Sequence, residues 1–217
     1  MIWRPFIGRF FIIIAAVYFT WLMVLITVQY VPIDYSAAFL ALKSHETQFL
    51  YYRIAFFTHV YSSIFVLMTG FVQFSKAVRL RYPRIHRRLG KVYIVLVLLL
   101  AAPSGLIMGI HGNGGIYSQI SFCIQAVLWF CFTLWAYTSI RKGNIARHYD
   151  FMVLSFALTL SAVSLRLFKW GIVHTLALPP MDTYRIVVWL GWTFNILVAL
   201  AIIYIHKRKK ALPYTER

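Results

Sequence analysis

The cationic residues of this chain alternate with apolar runs that are long enough to cross a lipid bilayer. A transmembrane helix needs about 20 apolar residues. Because lipid offers no partner to a backbone N–H or C=O group, each span must satisfy its own hydrogen bonds as a helix. Of the 22 lysines and arginines, 17 fall in four segments. They are Arg4 and Arg9; Lys76, Arg79, Arg81, Arg84, Arg87, Arg88 and Lys91; Arg141, Lys142 and Arg147; and Lys207, Arg208, Lys209, Lys210 and Arg217.

Composition agrees with a membrane protein. Hydrophobic residues make up 61% of the chain and charged residues 12%, whereas the apolar fraction of a soluble domain is nearer one half. The net charge of +17 would indicate nucleic-acid binding on a soluble surface, but here the cations flank apolar spans. We therefore expect no nucleic-acid partner. The segments between spans are too short for a soluble domain, so residues 1–217 are predicted to form a single transmembrane domain.

Six apolar runs predict an all-α bundle of six transmembrane helices. They cover residues 10–31, 53–75, 91–111, 116–139, 151–171 and 185–206. Six crossings place both termini and the two basic loops on one side, and lysine and arginine accumulate on the cytoplasmic side. We expect a multi-pass protein of the cell membrane with cytoplasmic termini. Its expected partners are membrane lipids, whose anionic head groups bind the basic segments at the cytoplasmic face.

The five acids lie in loops, at helix ends or in the tail. They are Asp34, Glu46, Asp150, Asp182 and Glu216. A relay of carboxylates at the centre of the membrane is therefore not available. A proton or electron path would depend on histidine, tyrosine, water or a cofactor.

His59 and Arg166 are predicted to lie at one depth. Counting ~1.5 Å per residue from the span centres puts both roughly 6–8 Å to the outer side of the midplane. His59 is either an axial haem ligand, a metal ligand or a proton carrier, or a core histidine bonded to a neighbouring helix. Arg166 has no acid in a neighbouring span, so it either binds an anionic or polar ligand or extends with Lys169 to the outer interface.

Other residues near that depth complete a predicted cofactor pocket. Met108 and His111, somewhat further out, are the candidate partners of His59 across a haem. Trp192 falls near the level of His59, and Asn195 lies close to the midplane. The ligand of Arg166 would be a haem propionate, a quinone carbonyl or a lipid phosphate. Depth alone does not say which way each side chain points.

Two histidines precede spans on the predicted cytoplasmic side. His86 lies before the third span and His148 before the fifth. They are weak candidates for a metal site or a second haem. The alternative is that they cap helix starts while nearby arginines bind lipid head groups.

An ordered series of short motifs runs along the chain. The motifs are His59, Gly70-Phe71-Val72-Gln73-Phe74, Arg81, His86-Arg87-Arg88-Leu89-Gly90-Lys91-Val92-Tyr93, Arg147-His148, Met152 and Arg166. In this order they resemble the bacterial membrane-protein family catalogued as domain of unknown function 2306, over about residues 53–205. The resemblance implies a multi-helix membrane fold and marks these positions, and it implies no substrate.

The sequence supports three hypotheses for function. The first is electron transfer linked to b-type haem or quinone in an outer-leaflet pocket, with His59 as ligand and Arg166 as anion partner. The second is a binder or transporter of a small molecule or lipid in the same pocket. The third is a structural or assembly subunit of a membrane complex. Motifs of hydrolases and nucleotide-dependent enzymes do not appear in a usable context.

Overall fold

The computed structural model describes residues 4–211, and this part of the chain is helical without strands. Arg217, counted in the last basic segment, lies outside the described residues. Two short 3₁₀ helices, Ala38–Lys43 and Glu46–Gln48, connect α1 to α2. The helices are α1 (Arg4–Val28), α2 (Leu50–Gln73), α3 (Lys76–Arg81), α4 (Pro83–Val95), α5 (Ala102–Ile110), α6 (Ile116–Arg141), α7 (Ile145–Thr159), α8 (Ser161–Leu176) and α9 (Pro180–Ala211).

Within residues 4–211, four helices are long and apolar enough to cross a membrane. They are Leu50–Gln73, Pro83–Ile110, Ile116–Arg141 and Pro180–Lys209. α7 and α8 form a fifth crossing if the pair is counted as one span. The apolar part found in α1, Ile13–Val28, is shorter than a full span. An all-α fold with four or five candidate membrane-spanning helices is confirmed for the described residues, and the six-span count stays a prediction.

The predicted fifth span, 151–171, is a helix pair with a bend of 43° between α7 and α8. The Ser161 hydroxyl donates to the Leu158 carbonyl at 2.6 Å, where the helix would otherwise continue. A serine that bonds to a nearby backbone carbonyl often bends a helix. Because of this bend, the axis of α8, which carries Arg166, is not a continuation of the axis of α7.

The third predicted span also contains a break in regular α-helix. Pro103 has no backbone N–H and removes one helical hydrogen bond. Immediately before the proline, the helix widens into a π-helical segment, Leu96–Ala101, that joins α4 to α5. Such segments are often found at functional sites. Here the last residue of the segment, Ala101, supplies a carbonyl to a side chain of α2.

A fully buried group of hydroxyls ties α4, α6 and α7 together, and we call it the hydroxyl core. The Tyr93 hydroxyl lies 2.9 Å from the Ser155 hydroxyl and 2.8 Å from the Thr159 hydroxyl. The Ser155 and Thr133 hydroxyls are 2.7 Å apart. Because every member has a partner, this polar group can be buried at little cost.

Close packing of α2 against α4 and α7 explains part of the sequence motifs. A Cβ atom at Gly70 would overlap the ring of Phe156. The Gln73 side-chain amide donates to the His86 carbonyl at 3.1 Å, and a Cβ at Gly90 would lie 3.2 Å from the Gln73 side chain. These motif residues position helices rather than line a cavity.

Candidate functional site

A cavity of about 460 Å³ is lined by residues of α1, α2 and α5 to α9. Its volume falls within the ~300–1,000 Å³ typical of sites for small molecules. Most of its wall is apolar or aromatic, as at Leu67, Phe122 and Trp129. Its polar and charged residues are Thr27, Tyr30, Tyr52, His59, Ser63, His111, Gln125, Thr159, Ser161, Arg166, Lys169 and Tyr184.

The His59 ring is fixed at the cavity wall through one of its two nitrogens. His59 Nδ1 lies 2.8 Å from the Ala101 carbonyl oxygen. A carbonyl can only accept, so Nδ1 carries the proton and Nε2 keeps its lone pair. Among the described residues, Nε2 has no hydrogen-bond partner. The cavity wall therefore presents a hydrogen-bond acceptor or a metal ligand.

Gly105 allows the imidazole to approach α5 this closely. A Cβ atom at this position would lie 2.9 Å from His59 Cε1 and 3.0 Å from Nδ1, closer than ordinary van der Waals contact. Any larger residue at this position would push the ring away from the Ala101 carbonyl. Sequence reasoning missed Gly105, because one glycine in an apolar helix gives no indication of what packs against it.

Arg166 and Lys169 extend from α8 to the same cavity. Nη1 of Arg166 donates to the Ala162 carbonyl at 2.7 Å. The remaining guanidinium donors have no protein acceptor within residues 4–211. Both side chains are exposed and lie at the edge of the cavity. No aspartate or glutamate is found among the lining residues, so neither cation has a carboxylate there.

One further polar atom at the cavity, the Ser63 hydroxyl, is buried without a hydrogen-bond partner among the described residues. Buried polar groups in proteins are nearly always hydrogen-bonded to protein or to bound molecules. This atom therefore supports a cavity that holds polar atoms from elsewhere.

The segment between α1 and α2 closes one end of the cavity. Lys43, only 3% exposed, pairs with Glu46 at 2.8 Å and donates to the His111 carbonyl. The Tyr51 hydroxyl lies 3.0 Å from His111 Nε2. Met108 packs against the aromatic cluster of this segment. Both predicted partners of His59, Met108 and His111, thus line the cavity, and His111 is held at its rim.

Trp192 and Asn195 do not line the cavity. The Trp192 indole donates to the Ser121 hydroxyl at 2.9 Å, which joins α9 to α6. The Asn195 amide donates to the Ala157 carbonyl at 3.0 Å and accepts from the Ser164 hydroxyl at 2.8 Å. Depth alone groups both residues with the pocket, but depth does not fix which side of a helix faces inward.

His86 and His148 lie near enough at the opposite end of the bundle to interact electrostatically. His148 Nδ1 lies 2.9 Å from the Ala136 carbonyl, and His86 Nδ1 is buried without a partner. Within the described part of the chain, no group of three His, Cys, Asp or Glu side chains could hold a metal ion. A metal or second haem at these two histidines stays a prediction.

The fold defines a multi-pass helical membrane protein with a cavity between its helices. Residues 56–203 match the family described as "Predicted membrane protein (DUF2306)". The match covers more than half of the chain, which therefore belongs to this family, as the motifs predicted. No curated protein and no solved structure matches the chain. Most of the matched segment forms α2 to α9, whereas α1 precedes it.

Proposed function

We propose that the cavity binds a membrane quinone by the two oxygens of its ring. The observation that carries the proposal is the bare Nε2 of His59 in the same cavity as the unpaired cations Arg166 and Lys169. His59 Nε2 can accept a proton donor, such as a quinol hydroxyl. Arg166 and Lys169 can donate to a carbonyl or anionic oxygen. The reduced form, a quinol, suits both, because one hydroxyl donates to Nε2 and the oxygen of the other accepts from a cation. The oxidised form has two carbonyl acceptors and would bond to the cations alone.

The arrangement of the helices around the cavity is also suited to a lipid-soluble molecule. α1 packs on α2, and α8 packs on α9, so the seam between α1 and α8 is not closed by extensive helix packing in the described residues. Both helices line the cavity. An isoprenoid tail would extend through this seam into the hydrocarbon region, while the ring occupies the cavity.

A b-type haem is the second candidate, favoured by the bond between His59 Nδ1 and Ala101. Ligating histidines usually donate their other ring nitrogen to a carbonyl or carboxylate, which fixes the ring. His59 and either Met108 or His111 would hold the haem iron, and Arg166 and Lys169 would bind the propionates. A haem would supply one-electron chemistry, and the protein would fix its orientation and exclude water.

Characterisation of the purified protein separates these candidates. The sample is scanned for a Soret band, and its organic extract is assayed for quinones and lipids by mass spectrometry. Quinone binding predicts a colourless protein with stoichiometric quinone, which is lost in His59→Ala and Arg166→Gln and retained in Arg185→Gln. A Soret band that disappears in His59→Ala would favour haem. A bound lipid without quinone or haem would favour the hypothesis of a lipid binder or transporter. A folded protein without any bound molecule would favour the hypothesis of a structural or assembly subunit.

We also propose six spans with both termini in the cytoplasm of the cell. α1 is 25 residues long, about 37 Å at ~1.5 Å per residue, which exceeds the ~30 Å of the hydrocarbon core. With α1 crossing, the four basic segments share one side and meet anionic head groups there. An impermeant maleimide added to cells should label Ser36→Cys and not Arg84→Cys. Labelling at Arg84→Cys would overturn this orientation.

A further inference from the structure

A second concave surface lies between α7 and α9, at the end of the bundle opposite the quinone cavity. This groove has a volume of about 540 Å³. Its lining is Asn144, Ala146, Arg147, Asp150, Phe151, Leu154, Leu200, Ile203 and Lys207. None of these residues lines the quinone cavity, so a ligand of the groove is independent of the quinone proposal.

The groove changes from charged to apolar along the helix axes. Arg147 and Lys207 lie at one end, and Leu154 and Leu200 at the other. On α7, Leu154 lies seven residues after Arg147, and on α9, Leu200 lies seven residues before Lys207. Because the two helices run antiparallel, the charged and apolar ends of the groove are about 10 Å apart on both helices, at ~1.5 Å per residue. A phospholipid has this polarity along the membrane normal, with its head group at the surface and its acyl chains below.

The charges at the polar end favour an anion. Lys207 is paired with Asp150 at 2.7 Å, whereas Arg147 has no acidic partner among the described residues and lies over the Phe151 ring at 5.5 Å. The Asn144 side chain accepts a hydrogen bond from the Arg147 backbone N–H at 2.9 Å and so caps the start of α7. The guanidinium of Arg147 is thus free to bind a phosphate with two donors.

We propose that this groove is a specific binding site for an anionic phospholipid of the cytoplasmic leaflet. Its phosphate binds Arg147, and one acyl chain lies along Phe151, Leu154, Leu200 and Ile203. The choice of leaflet rests on the proposed cytoplasmic termini. A zwitterionic lipid fits less well, because Asp150, the only acid lining the groove, is already neutralised by Lys207.

The test uses the delipidated full-length protein and native mass spectrometry with phosphatidylglycerol or phosphatidylcholine of identical chains. Arg147→Gln should weaken phosphatidylglycerol binding about fivefold. Arg141→Gln is the matched control, since it removes a nearby cation that does not line the groove. Leu200→Trp should block the acyl chain without a change in charge, because Leu200 is 49% exposed and a larger ring fits there.

A variant that binds the lipid more tightly distinguishes a specific effect from misfolding, because misfolding can only reduce binding. Asp150→Asn releases Lys207 for the phosphate, so phosphatidylglycerol should bind about two- to threefold more tightly. Phosphatidylcholine binding should change little in the three charge variants. The proposal is overturned if wild-type protein binds both lipids equally, if Arg141→Gln and Arg147→Gln lose equal affinity, or if Asp150→Asn weakens binding.

Discussion

The proposed quinone cavity and the hydroxyl core differ in how their polar groups are hydrogen-bonded. In the hydroxyl core, the Ser155 hydroxyl lies within hydrogen-bond distance of both the Tyr93 and the Thr133 hydroxyls, and all three residues are buried. In the cavity, His59 and Arg166 keep hydrogen-bonding capacity that the described protein does not use. Lipid cannot supply these partners. Polar residues at membrane depth therefore indicate ligand binding only where their bonds remain incomplete.

The strongest effect should be a loss of stability when the packing around α2 is overfilled. Gly70→Ala places a Cβ atom against the Phe156 ring, and overpacking of this kind costs about 1–3 kcal/mol. Thermal unfolding in detergent should show a lower Tm, with quinone affinity unchanged in the folded fraction. Phe156→Leu in the same chain should restore part of the Tm. Loss of quinone affinity without loss of stability would contradict this separation.

Substitution of a glycine in the cavity wall should lower the affinity for quinone rather than the stability of the fold. Gly105→Ala displaces the His59 ring from Ala101 and should weaken quinone binding about tenfold, the equivalent of ~1.4 kcal/mol. Gly171→Ala is the control, because a Cβ atom there meets nothing within 4 Å. Titration of quinone into both variants checks the expectation. Equal affinities would mean that the position of His59 is unimportant.

Removal of one hydroxyl should affect only the hydroxyl core. Tyr93→Phe leaves Ser155 and Thr159 without a shared partner, and hydrogen bonds between membrane helices are worth about 0.6 kcal/mol on average and up to ~1.7. Tyr204→Phe, at a side chain that is 66% exposed, should leave the Tm unchanged. Thr159 also lines the cavity, so a measurable change in quinone affinity in Tyr93→Phe would show that the two regions are coupled.

The weakest effect should be a pH dependence of the segment that closes the cavity. Burial tends to raise the pKa of Glu46, but the hydrogen bond and charge of Lys43 outweigh it and hold the pKa below its ordinary value of 4.5. The resulting stability, at most about 1 kcal/mol, is present above the ordinary value and lost as the pH falls through the lower folded value. Tm measured against pH should show this fall in wild type and not in Glu46→Gln.

Much of the fold could be predicted from apolar runs and cations. The predicted span 53–75 corresponds to Leu50–Gln73, and 116–139 to Ile116–Arg141. The bend near Leu160 could not be predicted, because the apolar composition continues through it and one serine hydroxyl takes the backbone carbonyl. The π-helical segment could not be predicted either, because a proline in an apolar run indicates a kink and not a widened helix.

The candidate site could be predicted in part. A depth count places His59 level with Arg166, and both line one cavity. The same count includes Trp192 and Asn195, whose side chains hold α9 to its neighbours instead. Tyr30 reaches the cavity from the end of α1, and the depth count does not indicate it. Helix rotation separates these cases, and in lipid it follows from packing partners that a single sequence does not reveal.

Titration of a short-tailed quinol, kept reduced, into the purified protein decides whether the cavity is a quinone site. The dissociation constant is measured in detergent for wild type, His59→Ala, Arg166→Gln and the control Arg185→Gln, whose cation lies outside the cavity lining. Quinone binding at the cavity predicts saturable binding by wild type, a loss of about tenfold or more in each cavity variant and a change of less than about twofold in the control. Folded wild-type protein that does not bind, or equal affinities in all four proteins, would contradict it.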